Sequence, residues 1–500
     1  MLNGFTRKFK PLELLSAEEL ENIHRNGLYT LEKTGMRVEH ERALQLFADN
    51  HCHVDFEAKR VRIPSWLAEE SVRKVPSSFI LKARDGKSDL MVGGDTVYFM
   101  QGMGMRYVDL DTWETRPATL GEHKEAMIVA DALENCHLAD AVFAYTELQG
   151  VPPAMTFLET LASGIRYSGK AEQYGYQKNC ELFAIPMARE LGINLNPELD
   201  TASPLTIYGA AVEAAFRYVE ADIPIQPCVG VTMGGEGPMT TAASLVMASA
   251  TVMGWAVLTQ LIKPGAPISI QYGLKPMDMR RGSPLFASVV NSLAHIGMNQ
   301  LLRKYRIPIC TSAGFTSLSK KIDYQCGYEK ALGTLISALS GSNLHIFQGG
   351  STAELMYNPV LSILDDDIAG WVGHLIQGVE VSDATMAVDL INEVGPIPGH
   401  YLNTAHTREN YRKEHFFPKA ADEEAYPVWI KSGKKDALAL ARERMTEILD
   451  SHQPDPLTDH QEQTLVRMLD DGRDYYRKEG LITDQEWSTY MAALEKAEPA

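Results

Sequence analysis

Several chemistries are missing from this chain before any is present. No window approaches eighteen uninterrupted apolar residues, so no membrane span is expected. No basic excess exists: Lys and Arg total 47 against 65 Asp and Glu, a net charge of −18. That balance disfavours a nucleic-acid surface, which needs cations to displace counterions, and equally an anionic membrane face. The six cysteines (Cys52, Cys136, Cys180, Cys228, Cys310 and Cys326) are scattered and form no CxxC pair. They read as reduced thiols, and with no apolar leader in the first twenty residues a cytoplasmic protein is predicted. There is no HExxH, no GxSxG and no P-loop. Gly102-Met103-Gly104 lacks the third glycine of a dinucleotide fingerprint and precedes no helix. His51 and His53 form an HxH without a partner cluster, and no resident metal is expected.

What is present is a rhythm. Residues 1–135 read as a mixed region. Ser16 and Glu19 form a capping box that opens a helix, and Thr119 and Glu122 form a second. Short strands are predicted at 60–63, 79–83, 96–101 and 106–110. From 136 to 425, strand-like runs at 141–145, 172–177, 199–205, 225–231, 268–272, 309–313, 344–348 and 399–402 alternate with helical stretches. These include 208–219, 239–261, 285–305, 324–339 and 366–379. Eight such repeats over this length predict an α/β fold, a (β/α)8 TIM barrel, with an open doubly wound sheet as the alternative. Residues 426–500 are charged and helical, with Thr458 and Thr483 as N-caps. They read as an extension packed on the barrel or on another subunit, and a homo-oligomer is expected.

In such a barrel the reacting groups sit at the carboxyl ends of the strands. The loops there are rich in glycine, methionine and aromatics: VTMGGEGPMTTAAS, QYGLKPMDMRRGSP, TSAGFTSLSKKID and HIFQGGSTAELMYNP. Glycine lets backbone approach a ligand, and aromatic faces attract cations. Strand alternation places Ser269 with Gln271, Gln226 with Cys228, and His345 with Phe347. The polar sets are expected to point inward, since outward faces must pack on helices. Asp365-Asp366-Asp367 reads either as a carboxylate cluster for Mg2+ or as the acidic first turn of a helix.

At VTMGGEGPMT, KPGAPISIQYGLKPMDMRRGSP, AGFTSLSKKID and GHYLNTAHT the sequence resembles the trimethylamine methyltransferase family. The resemblance runs from the ATLGE helix start to the His400–His406 segment. It rests on Pro264–Pro267, on Arg281-Gly282-Ser283-Pro284, and on Gly314 through Ser319-Lys320. It implies a barrel that moves a methyl group from an amine to the cobalt of a separate corrinoid protein. Trimethylamine-specific members carry pyrrolysine, whereas this chain holds only standard residues. The resemblance therefore points to the branch acting on quaternary amines, with glycine betaine favoured over proline betaine or carnitine.

On that reading Tyr98, Tyr145, Tyr176, Tyr272, Phe315 and Phe347 are candidates for an aromatic cage around an ammonium group. Gln271, His345, Arg280 and Arg281 are candidates for a substrate carboxylate, the arginines alternatively forming structural ion pairs. Glu236 and Asp366 are candidates for charge facing the ammonium, and His400 and His406 for contact with the corrinoid. No cofactor is expected in this chain, the cobalamin arriving on its partner: the corrinoid-binding pattern DxHxxG begins with Asp49-Asn50-His51 but ends in Cys52-His53-Val54, without its glycine. Two other functions are open. A barrel lyase would need a lysine at a strand end, whereas Lys275 and Lys320 read as loop residues. A non-catalytic barrel would bind a betaine or the corrinoid protein without turnover.

Overall fold

The computed structural model describes residues 2–311 and 316–497. Eight parallel strands close into a cylinder: β1 (Thr96–Gln101), β2 (Leu138–Ala139), β3 (Ala171–Tyr174), β4 (Leu195–Asp200), β5 (Gln226–Met233), β6 (Ile270–Asp278), β7 (Ile309–Thr311) and β8 (Leu344–Gln348). Closure is made by β8 beside β1, with Leu344 opposite Tyr98 and Ile346 opposite Met100. A helix follows each strand: α1 (Leu120–Ala132), α2 (Thr156–Tyr167), α3 (Glu181–Leu191), α4 (Gly209–Glu220), α5 (Thr241–Ile262), α6 (Val289–Tyr305), α7 (Tyr324–Ser340) and α8 (Pro359–Ile376).

The barrel is therefore the expected one, shifted by a strand. Its first strand is 96–101, which the sequence reading placed in the 1–135 region. The run at 141–145 is a short helix after β2, and 399–402 forms a turn. Pro398 and Gly399 deny that last run the ladder partners a strand needs.

Helix α5 has the length and apolarity of a membrane span. Its outer face is covered by the helices Ala17–Lys33 and Ser65–Lys74, and its inner face lies on β5. A helix sandwiched between two layers has no polar face to show. The amino-terminal region thus clothes the barrel. The hairpin Ser78–Leu81/Leu90–Gly93 also plugs its lower end, packing Phe79, Leu81, Leu90 and Val92 against Tyr98, Met100, Leu138, Cys310 and Leu344. Both capping boxes predicted from sequence are formed, at Ser16 and Thr119.

The carboxyl-terminal helices lie on this chain's own barrel. Ala437–Ser451 packs on α1 and α8, and Asp459–Lys478 on α2 and α3. The latter contact is fastened by Arg166 to Glu462 at 2.6 Å and by Arg473 to Glu159 at 2.7 Å.

Candidate functional site

The upper half of the barrel interior is polar, and the polarity is organised. Gln173 on β3, Asn196 on β4, Gln226 on β5 and Gln271 on β6 form one amide network. Asn196 Nδ2 donates to Gln173 Oε1 at 2.9 Å and to Gln226 Oε1 at 2.7 Å, and Gln226 Nε2 donates to Gln271. Buried amides persist only when paired, so four strands each supply a partner. Gln173 Nε2 also donates to Glu198 Oε2 at 3.1 Å, which carries the network up to the mouth.

Above it, Glu198 and Asp200 on β4 and Cys228 on β5 hold their carboxylate oxygens and sulfur within 4.8 Å of one another. Ladder register explains this: Asp200 is paired with Cys228, and Cys228 with Gln271. Glu198 is buried, whereas Asp200 opens into the mouth. Burial drives the Glu198 carboxyl well above its usual range, and the charges of Asp200 and Asp140 push it the same way. Asp200 is also raised, chiefly by burial, while the Tyr176 hydroxyl donates to its Oδ2 at 3.2 Å and pulls it back. The deeper Glu198 is the more strongly raised of the pair. Burial and the same two carboxylates push the Cys228 thiol far up, so it stays a neutral SH.

The wall beside this group is nearly bare. Gly230 is the next inward residue of β5, and a Cβ placed there would meet nothing within 4 Å. Opposite it stands Gly273 of β6, and then Lys275, whose Nζ lies 4.7 Å from the centroid of the Phe286 ring. Across the mouth, the loop after β8 runs through Thr352, Ala353 and Glu354, with φ of 53°, 56° and 69°. Three consecutive left-handed non-glycine residues cost roughly 1–2 kcal/mol each. The run is pinned at both ends: Ala353 N donates to Ser317 O at 2.9 Å, and Met105 N to Glu354 O at 3.1 Å. Burial raises the Glu354 carboxyl, and the charge of Lys275 opposes that shift.

Tyr176 thus stands at the mouth beside Asp200, and Gln271 lies in the amide network beneath it. Several other candidates are elsewhere. Tyr272 faces outward, its hydroxyl donating to Asn299 Oδ1 on α6. His345 also faces out: Nδ1 is 2.8 Å from the Thr311 hydroxyl and Nε2 is 3.2 Å from that of Thr334 on α7. Burial depresses its imidazole to about 3, so the ring is neutral. Phe347, stacked on it at 5.0 Å, packs under α7 and α8. Tyr98 lies in the lower plug, where its hydroxyl accepts from Met91 N. Tyr145 is buried edge-on against Tyr357 at 5.1 Å.

Arg280 and Arg281 are the structural ion pairs of the alternative reading. Both bind Asp278, at 3.1 and 2.9 Å, with their side chains 83% and 71% exposed. Glu236 accepts from Thr232 N and closes its own loop. His400 and His406 lie on the largely exposed segment that follows α8, and among the described residues no hydrogen bond or ring contact ties either to the mouth. Phe315 lies outside the described residues.

The aspartate triplet fits neither expectation, because α8 begins at Pro359 and each carboxylate has a separate task. Asp365 binds Lys330 at 2.9 Å, both side chains being 1% exposed. Asp366 accepts from Asn135 N, and Asp367 from the amides of Lys419, Ala420 and Ala421. Lys275 was read as a loop residue, yet it sits within β6, because the ladder with β5 runs on to Pro276.

Glu198, Asp200, Lys275 and Phe286 are the mouth residues that sequence reasoning missed, whereas Cys228 was placed with Gln226 on the inward face. The signal for the first two was the spacing of Asn196, Glu198 and Asp200, two apart on one strand face. The Glu198–Asp200–Cys228 group also has the donors to gather a divalent cation, contrary to the expectation that no such cluster exists.

The chain was compared with known proteins. The family model described as trimethylamine methyltransferase (MTTB) matches residues 1–471. A glycine betaine methyltransferase of Desulfitobacterium hafniense (strain Y51) is 30% identical over 458 residues, spanning 89% of this chain and 94% of that one. A trimethylamine methyltransferase MttB of D. hafniense (strain DSM 10664 / DCB-2) is 28% identical over 472 residues, spanning 92% and 94%. The crystal structure of the Methanosarcina barkeri monomethylamine methyltransferase superposes with a TM-score of 0.53 at 11% identity, covering 95% of this chain and 90% of that one, which is a likeness of fold.

Proposed function

The chain belongs to the trimethylamine methyltransferase family and is a methyltransferase. From that premise we propose that it moves a methyl group from a quaternary amine, glycine betaine being favoured, to the Co(I) of a separate corrinoid protein. The observation that carries this reading is the carboxyl pair Glu198–Asp200 at the barrel mouth, beside the open wall at Gly230.

A quaternary nitrogen has no lone pair and no proton. It cannot be recognised by a hydrogen bond or by a metal, only by opposite charge and by ring faces. The mouth offers that kind of recognition, with Asp200 facing the opening and Tyr176 tied to it at 3.2 Å. The leaving group is a neutral tertiary amine, so no acid is required to release it. The Co(I) electron pair attacks the methyl carbon, the C–N bond breaks, and its electrons stay on nitrogen. This chain's task is to hold the cation, exclude water and aim one methyl outward.

The neutral Cys228 thiol matters here. As a thiolate beside the cation it would compete for the methyl, and Glu198 and Asp200 keep it protonated. The acceptor then has to come from outside, through a mouth whose glycine-rich loops allow close approach.

The test is incubation of the protein with cob(I)alamin and a panel of amines, followed by absorption of the methylated cobalt and by product analysis. Glycine betaine is expected to give dimethylglycine and methylcobalamin one to one. Methylation from trimethylamine but from no betaine would overturn the substrate class. Activity that vanishes on chelation and returns with Zn2+ would give the Glu198–Asp200–Cys228 group to a metal instead.

A further inference from the structure

The mouth carries a cation, Lys275, that no hydrogen bond or ion pair engages among the described residues. On β6, Gln271 points inward, as its bonds to Gln173 and Gln226 establish. Alternation brings Gly273 and then Lys275 to the same face. Lys275 is half-buried, and its ammonium makes no hydrogen bond or ion pair among the described residues. Its one close companion is the Phe286 ring at 4.7 Å. The contrast with Lys330 is direct: that ammonium is buried and satisfied by Asp365, Phe347 O and Gly350 O. The two arginines near the same loop are committed to Asp278. Among the described residues Lys275 feels the Glu354 carboxyl of the loop after β8 only at longer range, and the Cys228 thiol of β5 is neutral.

The cup is therefore bipolar. One wall, on β4, is anionic, and another, on β6, presents an unsatisfied ammonium. Between them stands the bare backbone of Gly230 and Gly273. We propose that Lys275 is the carboxylate-binding residue of this site, so that the enzyme selects quaternary amines carrying an acid group over those that do not. The inference rests on the substrate class proposed above and extends it. A half-buried ammonium pairs with a carboxylate by a charge-assisted hydrogen bond, while the trimethylammonium head faces Asp200. The Phe286 ring holds the ammonium in place when the site is empty.

The experiment compares glycine betaine with choline, which has the same cationic head and a hydroxyl in place of the acid. Binding to the full-length protein is read by calorimetry, which needs no methyl acceptor. Turnover is read with cob(I)alamin. Wild type is expected to favour glycine betaine by about 100-fold or more in affinity. Lys275→Gln should raise the betaine dissociation constant by at least 30-fold and leave that of choline unchanged, and Lys275→Arg should restore part of the preference. The change should appear in KM rather than kcat. An equal loss for both ligands, or no loss for either, overturns the role of Lys275. If wild type binds neither ligand, the proposed substrate class fails and the subsite falls with it. If wild type binds betaine and Lys275→Gln binds it as tightly, the subsite alone is refuted.

Discussion

Removing both carboxyl groups from the anionic wall is the most direct perturbation of the site. Glu198 and Asp200 share one environment, with Asp140, Cys228 and Tyr176 around them. With its methyl groups in contact, a trimethylammonium nitrogen lies about 5 Å from the centre of charge of a carboxylate. At an effective dielectric of about 20 that contact is worth about 3 kcal/mol, on the order of 100-fold in kcat/KM. Single variants should show less. In Asp200→Asn, Glu198 loses the neighbour that raised it, ionises more readily and takes over the charge. Each single change is therefore expected to cost about 3-fold, and Glu198→Gln/Asp200→Asn about 100-fold, more than the product of the singles because the pair compensates. The assay is kcat/KM for glycine betaine with cob(I)alamin across pH 5.5–8.5. Because burial raises both carboxyls, the pair ionises further as pH climbs, so wild-type affinity should rise with pH and the double variant should lose that slope. A carbon isostere, 3,3-dimethylbutanoate, supplies the control. It should inhibit wild type far more weakly than betaine binds, and the double variant should discriminate little between the two. If the double variant stays within 3-fold of wild type, or prefers the cation as strongly as before, the wall is not what binds the ammonium.

Other expectations follow from the surroundings. Lys330→Met strands Asp365 in the interior and should lower unfolding free energy by about 3–5 kcal/mol, measured by urea denaturation; a loss under 1 kcal/mol would contradict the burial of the pair. Arg280→Ala with Arg281→Ala should leave the KM for glycine betaine within 2-fold, since both guanidinium groups are exposed and tied to Asp278. Burial raises Glu172 to about 8, so the folded state holds a proton that the unfolded chain releases near 4.5. The stability it contributes is complete below the unfolded value and is lost as pH rises through about 8, with a slope approaching about 1.4 kcal/mol per pH unit. Urea titrations at pH 5–8 should show that decline in wild type and a flatter profile in Glu172→Gln.

How far the sequence could be read depended on which pattern carried the signal. Helices announced themselves through period and through the caps at Ser16, Thr119 and Thr458, because those side chains satisfy the first free amides locally. Strand β8 was placed to the residue. β1 was seen as a strand but not as part of the barrel, since its partner lies about 250 residues away and no local feature reports it. The rule that polar strand residues face inward held for Gln226 and Gln271. It failed for His345 and Tyr272, because α6 and α7 supply the hydroxyl and amide partners that make an outward polar group tolerable. β4 was read late, at 199–205 instead of 195–200, because Pro197 within NLNPELD argues against a strand, and Glu198 fell outside it. Lys275 was hidden by the glycine and proline on either side of it, which mark a turn in most contexts but here sit inside a ladder.

The seam between β8 and β1 has a consequence for how the molecule comes into being. Until Gln348 has left the ribosome, the sheet can exist only as an open fan, with the edge of β1 from Tyr98 onward and the outer edge of β7 unpaired. Such edges invite pairing with other nascent chains, and long-range closure is slow. A transcript truncated anywhere upstream of Leu344 should therefore yield aggregate rather than a smaller working enzyme, however many of the mouth residues it still encodes.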